Sequence, residues 1–122
     1  MGEAGHDFES YYKRATSPLV VLCLLRDRVM YGYEISQAMR QRSGGRFTIA
    51  VLYPILYRLE EQGYVRVERT EVVNNRARSY YAITPAGRKY LDRCLGEYGE
   101  LHMAFLKLME REKRGRGNGA GV

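Results

Sequence analysis

Residues 48–63 constrain this chain more than any other stretch, because they encode one helix with two chemically different faces. Leu52, Ile55, Leu56 and Leu59 recur at steps of three and four, the spacing that stacks side chains on one arc of an α-helix and buries them. Ala50, Tyr53, Pro54, Tyr57, Arg58 and Glu61 fall elsewhere around the cylinder. Thr48 is expected to cap the first amides, and Gly63 to end the helix in the left-handed conformation. Pro54 removes a backbone donor early, which predicts short or bent first turns. Exposed aromatic rings gain little by facing water. Packing against a following strand is one explanation for the two tyrosines. The sharper one is a helix whose first turns enter a major groove, where phenol hydroxyls reach phosphates and rings meet base edges.

The rest of the composition narrows the partners. A chain of 122 residues holds one domain with one modest core, and a formal charge of +6 favours polyanions, either nucleic acid or a membrane surface. Cys23 and Cys94 are far apart and each lies in an apolar helical stretch, so neither a disulfide framework nor a metal knuckle is expected. His6 and His102 add no ligand spacing, no cofactor is implied, and a reducing cytoplasm fits best. The apolar run 19–25 follows Lys13 and Arg14 but lacks a small-residue cleavage site, ends at Arg26-Asp27-Arg28, and is too short to cross a bilayer. Nothing in the sequence supplies a nucleophile with its base, a phosphate-cradling glycine loop or a metal cluster, so an enzyme is not expected.

Along the chain, residues 1–7 are polar and glycine-bearing and are expected to be disordered. Asp7 caps a short helix over 8–14, with Phe8, Tyr11 and Tyr12 on one side. Ser17-Pro18 then reads as a cap followed by proline at the first helical position, opening a separate central core helix over 18–26. Ile35, Ala38 and Met39 mark an amphipathic helix that ends at Ser43-Gly44-Gly45, which completes a helix-turn-helix with the stretch 48–63. After Gly63, Tyr64, Val65 and Val67 begin one strand, and residues 79–83 form another. The connecting Asn74-Asn75-Arg76-Ala77-Arg78 is expected to be the polar, basic tip of a wing. Thr84-Pro85 repeats the cap-and-proline signal and opens a long helix to about Arg111. In it Leu91, Cys94, Tyr98, Leu101, Phe105 and Leu108 alternate steps of three and four, a seam that calls for a second copy of the chain. The last residues, 113–122, read as a disordered basic tail. The expected fold class is mostly α with a small β-hairpin. It comprises a winged helix-turn-helix over 8–84 and a C-terminal dimerisation helix over 85–112.

Three motifs carry a resemblance. Tyr31-Gly32-Tyr33-Glu34-Ile35, then Leu52-Tyr53-Pro54-Ile55-Leu56-Tyr57-Arg58-Leu59-Glu60-Glu61-Gln62-Gly63, then Arg78-Ser79-Tyr80-Tyr81-Ala82-Ile83-Thr84-Pro85-Ala86-Gly87-Arg88 stand in the order found in the PadR family of transcriptional regulators. The chain resembles its short subgroup, with a single helix after the wing. The resemblance implies a dimer that binds double-stranded DNA at a palindromic operator and represses transcription. It places Thr48, Ala50, Val51, Tyr53, Tyr57 and Arg58 on the reading helix and Arg76 and Arg78 on the wing. Ala50 and Val51 stand where many relatives have glycine or a hydroxyl residue. The resemblance also implies a small-molecule effector as a further partner. The mode in which flat ligands lie between tryptophans does not transfer to a chain without tryptophan. Tyr98, Phe105, Phe8 and Tyr12 would line an effector space near the dimer helices, and plain interface packing accounts for the same residues. The competing reading is a winged-helix module that holds a protein partner. Such a partner does not require Tyr53, Tyr57, Arg76 and Arg78 to face one duplex together.

Overall fold

A computed structural model describes residues 7–48, 50 and 52–112 of the chain. The elements run α1 (Phe8–Asp27), β1 (Met30–Tyr31), α2 (Gly32–Arg42), α3 (Leu52–Glu61), β2 (Val65–Val73), β3 (Arg76–Ile83) and α4 (Pro85–Met109). The chain divides into two units, Met1–Asp92 and Arg93–Val122. The first holds the core, built from Val21, Leu22, Leu24 and Leu25 of α1, Ile35 and Met39 of α2, Leu52, Leu56 and Leu59 of α3, sheet residues, and Leu91. Each such side chain contributes about 1.5–3 kcal/mol when fully buried.

The two helices expected over 8–14 and 18–26 are one continuous helix, α1, with Pro18 inside it. Asp7 does cap it, accepting the Ser10 amide at 2.8 Å. The Ser17-Pro18 signal does not start a helix, because Thr16 and Ser17 turn their hydroxyls back to the carbonyls of Tyr12 and Lys13, four residues earlier. Burial of the apolar turns that follow holds the chain helical where proline has no amide to give.

Helix α3 starts at Leu52, so Thr48 lies upstream of it rather than at its cap. Pro54 is therefore the third helical residue, where an amide has no partner within the helix in any case. Proline there removes no hydrogen bond within the helix. Gly63 ends the helix as expected, with φ of 83°. Its amide meets the Glu60 carbonyl at 2.9 Å, and the Tyr64 amide meets that of Leu59 at 2.9 Å. This pair of reverse-turn bonds satisfies the last carbonyls of the helix.

The sheet has the antiparallel order β1-β3-β2. Asn74 and Asn75, with φ of 53° and 63°, close β2 to β3 in a two-residue turn. Asparagine tolerates that left-handed region, so pairing resumes at once and Arg76 and Arg78 lie in strand β3, opposite Val73 and Glu71. The five-residue basic tip expected for the wing is thus an Asn-Asn turn followed by a basic strand. Strand β1, which the sequence did not announce, pairs Met30 with Tyr81 and Tyr31 with Tyr80.

Thr84 joins the hairpin, α3 and α4. Its hydroxyl accepts the Gly87 amide at 2.9 Å and donates to the Gly63 carbonyl at 2.7 Å. Tyr64 and Tyr90 stack beside it with centroids 4.3 Å apart. Thr84→Val keeps the shape but loses both bonds, and should lower the unfolding free energy by about 1–2 kcal/mol. Denaturant unfolding of the two proteins measures this, and equal midpoints would remove the junction from the account.

Candidate nucleic-acid interface

Burial of Leu52, Leu56 and Leu59 fixes the rotation of α3 and turns Tyr53 and Tyr57 outward, 47% and 57% exposed. Their rings lie 6.1 Å apart, one helical turn from each other. Opposite them stands β3. Between the two, a concavity of about 630 Å³ is lined by Tyr31, Tyr33, Tyr53, Tyr57, Arg76, Ala77, Arg78, Ser79 and Tyr81. Five tyrosines and two arginines line it, without a carboxylate. Phenol hydroxyls beside guanidinium groups suit an extended anion with flat or polar groups, such as a nucleic-acid strand.

Charge pairing decides which cations of the wing are available. Arg66 pairs with Glu68 at 3.4 Å and Arg69 with Glu71 at 2.8 Å. The hydrogen bond from Arg69, more than its charge, holds the Glu71 carboxyl below its ordinary range. Arg76 and Arg78 make no ion pair among the described residues. Arg78 instead lies over the Tyr31 ring, 4.6 Å from its centroid, while Arg76 is exposed beside the turn. Burial, then the nearby Tyr57, Glu60 and Tyr53, push the Tyr81 phenol up, so the floor of the concavity stays protonated and uncharged.

The remaining expected residues divide. Arg58 is exposed on α3 without lining the concavity, Thr48 and Ala50 are exposed in the connection before α3, and Val51 lies outside the described residues. Phe8 and Tyr12 line a smaller hollow of about 310 Å³ with Glu9, Lys13, Arg46 and Phe47. There Glu9 pairs with Lys13 at 3.0 Å and Arg46 at 3.4 Å, so one carboxylate is shared between two cations. Tyr31 and Tyr33 were not expected in the site. They reach it because β1 pairs with β3, a contact between distant parts of the sequence.

Of the residues expected to pair two copies, Leu91 is fully buried in the core of its own unit, so it is closed to a partner. Cys94 is half-buried, and Tyr98, Leu101, Phe105 and Leu108 are exposed, with Leu101 at 70%. Leu95, Met103, Leu106 and Met109 widen this apolar surface beyond a two-position seam. No helix among the described residues is long and apolar enough to cross a membrane. The expected tail, 113–122, and residues 1–6 with His6 lie outside the described residues.

Residues 21–93 match the model of the transcriptional regulator PadR-like family. The transcriptional regulator Rv3488 of Mycobacterium tuberculosis is 39% identical over 80 residues, which are 66% of this chain and 73% of that one. Among solved structures, a transcriptional regulator from Clostridium thermocellum is 30% identical with a TM-score of 0.76, over 83% of this chain and all of that one. A PadR family regulator from Eggerthella lenta is 27% identical with a TM-score of 0.75, over 84% and 88%. With the winged helix-turn-helix fold and its aromatic, cationic concavity, these matches make the chain a member of the PadR-like family of transcriptional regulators.

Proposed function

We propose that this chain is a cytoplasmic, homodimeric repressor that places α3 in the major groove of a palindromic operator and rests β3 on the flanking phosphates. The observation that carries the reading is the concavity itself. Tyr53 and Tyr57 stand on one wall, and Arg76 and Arg78, which make no ion pair among the described residues, stand on the other. Tyrosines on α3 can contact base edges, whereas wing arginines neutralise phosphates whatever the sequence. In this division of labour residues 8–84 read DNA and residues 85–112 pair the copies, except that Leu91 serves the core. The exposed apolar residues from Leu95 to Met109 support pairing, since a lone protomer would present them all to water. A small-molecule effector acting on this dimer belongs to the same reading.

Two substitutions separate reading from holding. Tyr57→Ala should lose roughly tenfold in affinity for a duplex selected from a random pool, and much less for random-sequence DNA. Arg76→Ala should weaken both alike and lower the slope of log affinity against log salt by about 1 per protomer. Fluorescence anisotropy across a salt series measures both. A change of sequence preference in Arg76→Ala at unchanged slope would reverse the assignments, and failure of the parent protein to select any duplex would favour a protein partner for this face.

Leu101→Glu places a charge on the apolar surface of α4 and should yield a monomer by analytical sedimentation at micromolar concentration, with the parent a dimer. A monomeric parent would contradict the pairing.

A further inference from the structure

Tyr31-Gly32-Tyr33-Glu34 borders the concavity from the side of α2, and the roles proposed for α3 and the wing use none of it. Gly32 is the first residue of α2, buried and in ordinary helical conformation, so no turn requires glycine there. Space requires it. A Cβ built on Gly32 would fall into the phenol of Tyr53, meeting its hydroxyl, with Cζ at 2.7 Å and Cε1 at 3.3 Å. Tyr53 is thus held against the bare backbone of α2 on one side while about half of it remains exposed on the other.

The preceding residue does the same for the opposite wall. The Tyr31 ring lies beneath the Arg78 guanidinium at 4.6 Å, with Tyr80 tilted against it at 5.2 Å and Tyr33 stacked at 6.4 Å. Glu34 accepts the Tyr31 amide at 3.2 Å and faces Arg28 at 3.7 Å, which fixes the corner between β1 and α2. An arginine or tyrosine free in solvent loses rotamer freedom when it binds, and one already held loses less.

We infer that Tyr31 and Gly32 are positioning residues for DNA recognition: Gly32 is the seat of the Tyr53 phenol and Tyr31 is the rest on which Arg78 is presented. The inference rests on the DNA-binding reading of this face. It assigns a role to residues that need touch no nucleotide, and it couples the two walls through adjacent positions of one backbone.

The test uses the full chain, a duplex selected from a random pool, and a random-sequence duplex of equal length. Gly32→Ala should lose roughly tenfold in discrimination between the two, about the size of one spoiled base contact, as the Tyr53 phenol is pushed off its seat, with no gain in melting temperature. Added to Tyr53→Ala, the same change should cost no affinity, because the clash has gone, and should raise the melting temperature, as alanine does in place of a helical glycine. Tyr31→Leu should weaken DNA binding in the parent and add no loss in an Arg78→Ala background, while Tyr31→Phe, which keeps the ring, should bind as the parent does. Discrimination unchanged in Gly32→Ala, or losses that simply add in both double variants, would overturn the inference. If Gly32→Ala alone does not fold, the double variant with Tyr53→Ala decides: folded, it supports the seat, and unfolded, it shows that Gly32 serves something else. Should the parent select no duplex, the functional reading fails, and the melting-temperature cycle of Gly32 and Tyr53 still judges the seat by itself.

Discussion

The geometry of this protein depends on one constraint, the burial of a single face of α3 in a core shared with α1, α2 and the sheet. Leu56 is fully buried, with Leu52 and Leu59 nearly so. A helix ten residues long cannot turn about its axis without exposing that face, so the direction of Tyr53 and Tyr57 is set by packing on the far side. The outward pair need not be held by contacts of its own making. Rotating the helix by one residue would withdraw several kilocalories of burial, roughly 1.5–3 kcal/mol per leucine.

The opposite wall obtains its properties from pairing rather than burial. The Asn74-Asn75 turn sets the register, which puts Arg76 opposite Val73 and Arg78 opposite Glu71. Arg66 and Arg69 lie within reach of Glu68 and Glu71 on their own strand, whereas Arg76 and Arg78 leave the turn without ion-pair partners among the described residues. The net charge of the chain therefore says little about where a polyanion binds. On the wing, local pairing leaves Arg76 and Arg78 of β3 as the cations without a carboxylate at ion-pair distance among the described residues.

What could be read from the sequence follows the range of the interaction involved. The buried face of α3, its end at Gly63 and the opening of α4 at Thr84-Pro85 rest on contacts within a few residues, and each is legible as a spacing or a cap. Ser17-Pro18 carries the same local signal as Thr84-Pro85 and means the opposite. The hydroxyl of Ser17 bonds back into the preceding turn, whereas that of Thr84 accepts from the turn ahead. Only packing distinguishes them. Strand β1 has two residues, too few for any periodicity, and exists because Met30 and Tyr31 find Tyr81 and Tyr80 some fifty positions later, a distance read from their register. The part of the site contributed by Tyr31, Gly32 and Tyr33 was hidden for the same reason. Sequence spacing pointed to Leu91 as part of a seam between copies, because a stripe is the same whether its cover is the chain's own core or another molecule.

The central claim is that the walls formed by α3 and β3 meet DNA together. Amide shifts of the ¹⁵N-labelled protein, followed while a duplex selected from a random pool is added, test it most directly. The account predicts that the largest changes fall within residues 53–58 and 76–79, at the same protein-to-duplex ratio for both. Shifts that leave both groups still while other surfaces respond, or that move one group without the other, would contradict it.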